Sequence, residues 1–255
     1  MKLWNQNSKD KNSAIDHFLS SEDITLDQEL FLYDIEASIA HTHELEKINI
    51  FTKTEARKVI SSLKKLGKLF QTNKFKLTAK YEDCHSAIED FLTKELGSIG
   101  KKIHTGRSRN DQIMVAMRLY ARAKLDEIQS KNLKVAKAFL EKSEKHSSNP
   151  MPGYTHLQRA MPSSWGLWFG AFAESFLDNA ELLSNTKSWM NVNPLGTAAG
   201  YGVNLPIKRD ISTKELNFKR KQLNSLYVQN SRGKFELELI GALKQPMLDI
   251  RKFSW

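Results

Sequence analysis

Residues Arg107–Asn149, RSRNDQIMVAMRLYARAKLDEIQSKNLKVAKAFLEKSEKHSSN, run for 43 residues without a glycine or a proline. Within them Ile113, Ala116, Met117, Tyr120, Ala123, Ile128, Val135, Ala136, Phe139 and Leu140 fall largely at helical steps of three and four. If most of the stretch is helical, it is roughly 50–60 Å long at 1.5 Å per residue. A helix of that length belongs to an extended bundle, often one shared between subunits.

Just upstream, and overlapping its start, lies His104-Thr105-Gly106-Arg107-Ser108-Arg109-Asn110-Asp111-Gln112, with two arginines, two hydroxyls and two amides in nine residues. Donors gathered at a helix N-terminus make a cradle for carboxylates, because backbone N–H groups and the helix dipole add to the side-chain charge. A guanidinium offers a planar fork matching a carboxylate, while Ser and Asn fix orientation. The same residues also suit a plain polar helix cap.

The 149 residues before Pro150 contain no proline. Helical patterns there cover Leu26–Lys47, Lys53–Phe70 and Asp83–Leu96, the last capped by Asp83. Phe75 and Leu77 alternate with lysines and allow a short extended piece. Downstream, Pro150-Met151-Pro152-Gly153 stops the long helix. After a loop over Tyr154–Met161, Pro162 is expected at a helix start. The run Ser163–Met190 is apolar around most of its circumference and calls for burial. Gly166 and Gly170 allow close approach of a neighbouring helix. The glycine-rich Asn193–Gly202 loop lacks the spacing and the preceding strand of a nucleotide site. Helical patterns resume at Ser212–Glu215 and from Phe235 through Phe253, where Pro246 is expected to kink the helix. The reading is mainly α: a small N-terminal helical domain, 1–106, followed by a long-helix bundle, 107–255, truncated within the bundle.

The 255 residues carry a net charge of +10, in short groups such as Lys64-Lys65 and Lys219-Arg220-Lys221. No basic tract, zinc-finger or RNP-type pattern accompanies them, so a nucleic-acid partner is not expected. No apolar run approaches the roughly 20 residues that span a bilayer, and the polar Met1–Gln6 start lacks a signal-peptide core. With Cys84 the single cysteine, neither a disulfide nor a cysteine metal cluster is expected, and a cytoplasmic setting fits. His41 and His43, two apart, are a poor helical metal pair.

The second informative stretch is Met151-Pro152-Gly153-Tyr154-Thr155-His156-Leu157-Gln158-Arg159. A histidine between hydroxyl and amide neighbours can move a proton or bind an anion, and can equally cap the next helix.

Together the two stretches resemble the argininosuccinate lyases of the fumarase/aspartase superfamily. Supporting matches are Tyr33-Asp34-Ile35, Ser38–His41, Glu82–His85, Asn193–Gly196, Leu205–Arg209 and Gln222–Tyr227. The resemblance implies a cytoplasmic, mostly helical subunit of a homotetramer whose active sites draw on several subunits. It implies cofactor-free cleavage of argininosuccinate to arginine and fumarate, in arginine biosynthesis. Position by position, it implies His156 as the catalytic histidine, Ser108, Arg109, Asn110 and Thr155 as carboxylate binders, and Asp34 facing the substrate's cationic end. His85, Gln158 and Thr105 are further candidates, and no metal is implied. Ala37 and Asp23 depart from the family's usual Gly and Ser. The family's third signature, a flexible loop bearing the basic serine, is not in the chain, so little or no activity is expected of these residues alone. The alternatives are a non-catalytic helical oligomer derived from the same fold, or a related lyase acting on another succinyl-substituted substrate.

Overall fold

The computed structural model describes residues 22–78 and 80–255. The chain folds as helices α1 (Asp23–Lys47), α2 (Lys53–Gln71), α3 (Cys84–Leu96) and α4 (Ser98–Lys101), a 3-10 turn at Lys102–His104, and the long α5 (Arg109–Lys145). Strands β1 (Pro150–Thr155) and β2 (Gln158–Ser164) precede α6 (Trp165–Met190). Then come β3 (Val192–Asn193), α7 (Asp210–Glu215), β4 (Arg220–Lys221), α8 (Ser225–Asn230) and α9 (Lys234–Ser254). Among the described residues no helix is long and apolar enough to cross a membrane.

Local chemistry sets these boundaries. Thr52 and Glu55 close a capping box at the start of α2, Thr52 Oγ1 accepting the Glu55 N–H at 3.2 Å and Glu55 Oε2 accepting the Thr52 N–H at 2.8 Å. Asp83 and Ser86 do the same for α3. Gly97 turns the chain between α3 and α4 at φ +59°, a conformation open to glycine at little cost.

Packing divides the chain into two units: residues 1–120 with 191–232, and residues 121–190 with 233–255. These units are discontinuous in sequence, unlike a sequential division at 106/107. In the first, α1 is buried on two sides. One side joins Phe31, Ile35 and Leu45 to Val59, Leu63, Leu66, Ile88 and Leu92. The other joins Ala37 and Ala40 to Val115, Leu119, Leu195, Leu216 and Phe218. Each fully buried side chain of this size contributes about 1.5–3 kcal/mol. The Phe75–Leu77 piece forms no strand; the Phe75 ring instead stacks on Phe31 at 5.7 Å and meets Phe91 edge-on at 6.0 Å.

In the second unit Phe139 of α5, Trp168 and Phe172 of α6 and Phe253 of α9 form one aromatic cluster, with Phe139–Phe253 centroids 4.9 Å apart and Trp168–Phe172 5.1 Å apart. Gly166 permits the closest approach of α6 to the end of α5. A Cβ there would lie 2.6 Å from Ser147 Cα and 2.7 Å from the Ser143 carbonyl oxygen, while Ser143 Oγ donates to the Gly166 carbonyl at 2.7 Å. Part of the apolar circumference of α6 stays open among the described residues: Leu167 and Leu177 are exposed, and Trp165 and Trp189 partly so.

Two expectations are corrected here. Residues 154–161 are not a loop but the centre of an antiparallel hairpin. Pro162 opens no helix; it sits in β2 opposite Pro152. Facing prolines cannot donate to the ladder, and such a pair suits an edge. The helix begins only at Trp165, where Ser164 Oγ accepts the Leu167 N–H at 3.1 Å.

Candidate functional site

The His104–Gln112 stretch begins in the 3-10 turn and crosses Gly106 at φ +71°, where a Cβ would lie 2.7 Å from Ile207 Cδ1. It enters α5 through a tight cap. Ser108 Oγ accepts the Asn110 N–H at 3.3 Å, and Asp111 Oδ1 accepts the Ser108 N–H at 2.9 Å. The Thr105 carbonyl is held by His41 Nε2 at 2.9 Å; that imidazole is fully buried, and burial foremost holds it below its ordinary pKa. Asn110 Oδ1 accepts from Arg232 Nη1 at 3.2 Å.

The two arginines do not form an open cradle. Arg109 lays its fork on Glu82, with Nη2 3.1 Å from Oε2, and also reaches Asp83 Oδ2 at 3.1 Å. Burial pulls the Arg109 pKa down, but the Glu82 hydrogen bond and the neighbouring acids leave it raised. Arg107 is buried and donates from Nη1 to Ser38 Oγ at 2.9 Å, while its Nε and Nη2 have no partner.

Asp111, to which the sequence reading gave no role, ties this stretch to the glycine-rich loop. Its Oδ2 accepts the backbone N–H groups of Gly196, Thr197 and Ala198 at 2.9, 3.1 and 3.0 Å. With Ser108 on its other oxygen, one fully buried carboxylate satisfies four backbone donors. Arg209 does the reverse for carbonyls, donating to Leu195, Gln222 and Asn193 at 2.7, 2.6 and 3.1 Å. An acid three residues past a serine at a helix start was the available signal for Asp111, but its loop partners lie 85 to 87 residues away.

Asp34 and His85 meet between α1 and α3. Asp34 Oδ2 accepts from His85 Nδ1 at 2.7 Å and from the Cys84 thiol at 3.7 Å. Asp34 is fully buried, and His85 nearly so. Burial raises the Asp34 carboxyl, but the attraction and hydrogen bond of His85, with Arg107 adding to them, leave its pKa below the usual value. Burial likewise lowers His85, and Asp34 outweighs it, so His85 titrates above its usual value. Both shifts favour the charged forms, imidazolium and carboxylate. Burial foremost pushes the Cys84 thiol well up, so it stays protonated. Asp34, Cys84 and His85 are also the ligand-type side chains that the fold gathers most closely.

Thr155, His156 and Gln158 lie on the other unit, at the tip of the β1–β2 hairpin. Thr155 pairs with Gln158, leaving His156 and Leu157 as the two turn residues, at φ +51° and +61°. This is the doubly left-handed turn that usually takes Asn-Gly. All five residues from Tyr154 to Gln158 are exposed, Leu157 by 99%. Among the described residues His156 makes no hydrogen bond or ring contact. The structure thus brings Asp34 and His85 together, and Thr105, Ser108, Arg109 and Asn110 together, in the first unit; Thr155, His156 and Gln158 belong to the second.

A family model described as lyase matches residues 9–255. The chain is 47% identical over 253 residues to the argininosuccinate lyase of Xanthomonas campestris, a match covering 99% of this chain and 59% of that protein. It is 46% identical to that of Xylella fastidiosa, covering 99% and 57%. The chain thus spans less than two thirds of the length of the curated relatives it matches. Among solved structures, EDDS lyase in complex with formate superposes with a TM-score of 0.74 at 24% identity, over 91% of this chain and 48% of that one. A fumarate lyase:delta crystallin from Brucella melitensis superposes with a TM-score of 0.76 at 17% identity, over 89% and 55%. At those identities the likeness speaks for the fold: mainly α, with long helices in a bundle.

Proposed function

Since the chain belongs to the lyase family, we propose that it serves the cofactor-free cleavage of argininosuccinate to arginine and fumarate. The observation that carries this reading is the unbroken match of 253 residues, at 46–47% identity, to proteins named argininosuccinate lyase. In such a β-elimination a base takes the proton beside a carboxylate, its electron pair becomes the new C=C bond, and the C–N pair leaves with the guanidino nitrogen. That nitrogen then takes up a proton. The binding groups must hold carboxylates and orient them.

We assign carboxylate binding to Ser108 and Asn110 at the start of α5, beside the helix dipole, and separately to Thr155 on the hairpin. Arg109 joins them once its fork shifts from Glu82. His156 is assigned to proton movement at the leaving group. Asp34 is fully buried against His85, which supports a role exerted through His85 over direct contact with the substrate. Thr105 positions the turn through its carbonyl, and Gln158 closes the hairpin. The proposed domain division at 106/107 is one of sequence, with the long helix opening the second part, and it cuts across the two packing units.

A homotetramer is part of the same proposal. Leu237, Ile240, Met247 and Ile250 on α9, with Leu167 and Leu177 on α6, are apolar side chains left exposed along bundle helices.

Calorimetric titration with argininosuccinate, alongside a succinylated adenylate as control, tests the reading. The expected result is binding of argininosuccinate alone, weakened at least tenfold by Asn110→Ala, about 1.4 kcal/mol. Absence of argininosuccinate binding, or equal binding of both compounds, sinks it.

A further inference from the structure

We propose that Asp34, Cys84 and His85, with Asp27 alongside, form a binding site for a zinc-like divalent cation, and that occupancy of this site disables the Asp34–His85 pair. The inference rests on the packing of α1 against α3 and not on the substrate proposed above.

The three ligand-type atoms form a compact triangle. Asp34 Oδ2 is 2.7 Å from His85 Nδ1 and 3.7 Å from Cys84 Sγ, and Sγ is 3.7 Å from Nδ1. A point equidistant from the three lies about 2.0 Å from each, in their plane; tetrahedral Zn2+, with bonds of about 2.0 Å to N and O and about 2.3 Å to S, needs Asp34 Oδ2 and His85 Nδ1 to part by about 0.6 Å. Asp27, whose Oδ2 holds the Cys84 N–H at 2.8 Å, adds negative charge nearby but stands outside the three-residue group, so the fourth position falls to water.

The same carboxylate has a second open acceptor: among the described residues Asp34 Oδ1 is buried without a hydrogen-bond partner, in a side chain with no exposure. An acceptor left open in that way carries a desolvation cost that a cation relieves by taking the carboxylate through both oxygens. Charge balance agrees. The thiolate, the two carboxylates, a divalent ion and the Arg107 guanidinium together carry no net charge. The thiol proton and the Nδ1 proton leave to solvent as the metal enters.

A thiolate, an imidazole and carboxylates select zinc, cobalt or cadmium over magnesium or calcium. The metal would replace the hydrogen bond between Asp34 and His85 and turn the ring to its new ligand. Because Asp34 and Cys84 are closed to solvent, uptake is expected to be slow, over minutes of incubation rather than on mixing.

Chelator-treated full-length chain titrated with Co2+ gives the test. The expected result is one equivalent of cobalt with tetrahedral visible bands and a sulfur-to-cobalt charge-transfer band, displaced by Zn2+. Cys84→Ser should abolish the charge-transfer band, and His85→Gln should weaken binding at least tenfold, both variants being checked for native circular dichroism. X-ray absorption on the zinc-loaded unmodified chain needs no variant: one sulfur at about 2.3 Å with nitrogen and oxygen at about 2.0 Å is expected. No charge-transfer band at millimolar cobalt, or a zinc shell without sulfur, overturns the proposal.

Discussion

The two stretches that announce function in this sequence are built in opposite ways. At the start of α5 nearly every polar group is held by the chain itself: Asp111 by four backbone N–H groups, Arg109 by Glu82 and Asp83, the Thr105 carbonyl by His41. At the hairpin tip His156 and Leu157 stand in the left-handed region, exposed and held by their turn alone. The first stretch is shaped by its own side chains before any ligand arrives. The second is strained and presented outward. Stability and function should therefore separate between them: damage to the first unfolds, damage to the second disarms.

The largest expected effect tests the first half of that statement. Asp111→Ala leaves four backbone donors without their acceptor, in a place that water cannot reach. With charged hydrogen bonds worth about 1.5–3 kcal/mol each and not additive, a loss of about 4 kcal/mol is expected. Urea denaturation followed by circular dichroism reads it. Asp111→Asn, which keeps one oxygen but puts an amide among donors, should recover little. A loss under about 1 kcal/mol would mean that the loop is held by something other than this carboxylate.

Gly166→Ala is expected to cost less, about 2 kcal/mol. The new methyl meets backbone at 2.6 and 2.7 Å, so α6 must move away from α5, which typically costs 1–3 kcal/mol, offset in part by the better helix propensity of alanine. The same denaturation measurement serves. A neutral result would show the α5–α6 contact to be loose.

The Asp34–His85 pair gives the first stretch a pH signature. His85 titrates above its unfolded value of about 6.5, so its stabilisation is complete below that pH and is lost as pH rises through the folded value. Asp34 titrates below its unfolded value of about 3.9, so its contribution is present above that pH and is lost as pH falls through the folded value. Stability from the pair should thus peak between about pH 4 and 6.5. Above that window it should decline by at most about 1.4 kcal/mol per pH unit. The decline should vanish in His85→Gln, measured as urea midpoints across pH. An unchanged slope in that variant would show that the alkaline loss arises elsewhere.

How much of this was legible in the sequence depended on how local the cause is. The α5 helix was readable because 43 residues without a breaker repeat a local period. The start of α3 was readable because Asp83 caps from one residue away. The hairpin was missed because prolines at 150, 152 and 162 read as loop punctuation, while facing prolines at a sheet edge need knowledge of pairing. Asp34 and His85 are separated by 51 residues and Asp111 from its loop by 85 or more. No periodicity carries such distances; the resemblance pointed to the first pair but not to the Asp111 clamp. It named Arg109 as a carboxylate binder without showing that Glu82 already occupies its fork.

The smallest effect sharpens the second half of the comparison. Leu157 occupies the second position of a turn that asks for φ > 0, at +61°, with its side chain 99% exposed. A left-handed residue other than glycine costs roughly 1–2 kcal/mol, and an exposed leucine on a hairpin tip recovers almost none of it. Leu157→Gly should therefore stabilise the hairpin, by about 1 kcal/mol after the added entropy of the unfolded glycine is subtracted. Amide hydrogen exchange along β1 and β2 should slow accordingly, while His156→Ala leaves it within about 0.5 kcal/mol. If the strain is there to aim His156, the glycine variant should also bind argininosuccinate more weakly in the calorimetric titration while its hairpin grows firmer. Gain of stability with loss of function would mark the tip as a place where the fold holds an unfavourable conformation for a purpose. A destabilised Leu157→Gly hairpin would show instead that the leucine packs against something, and that the tip is built like the start of α5 after all.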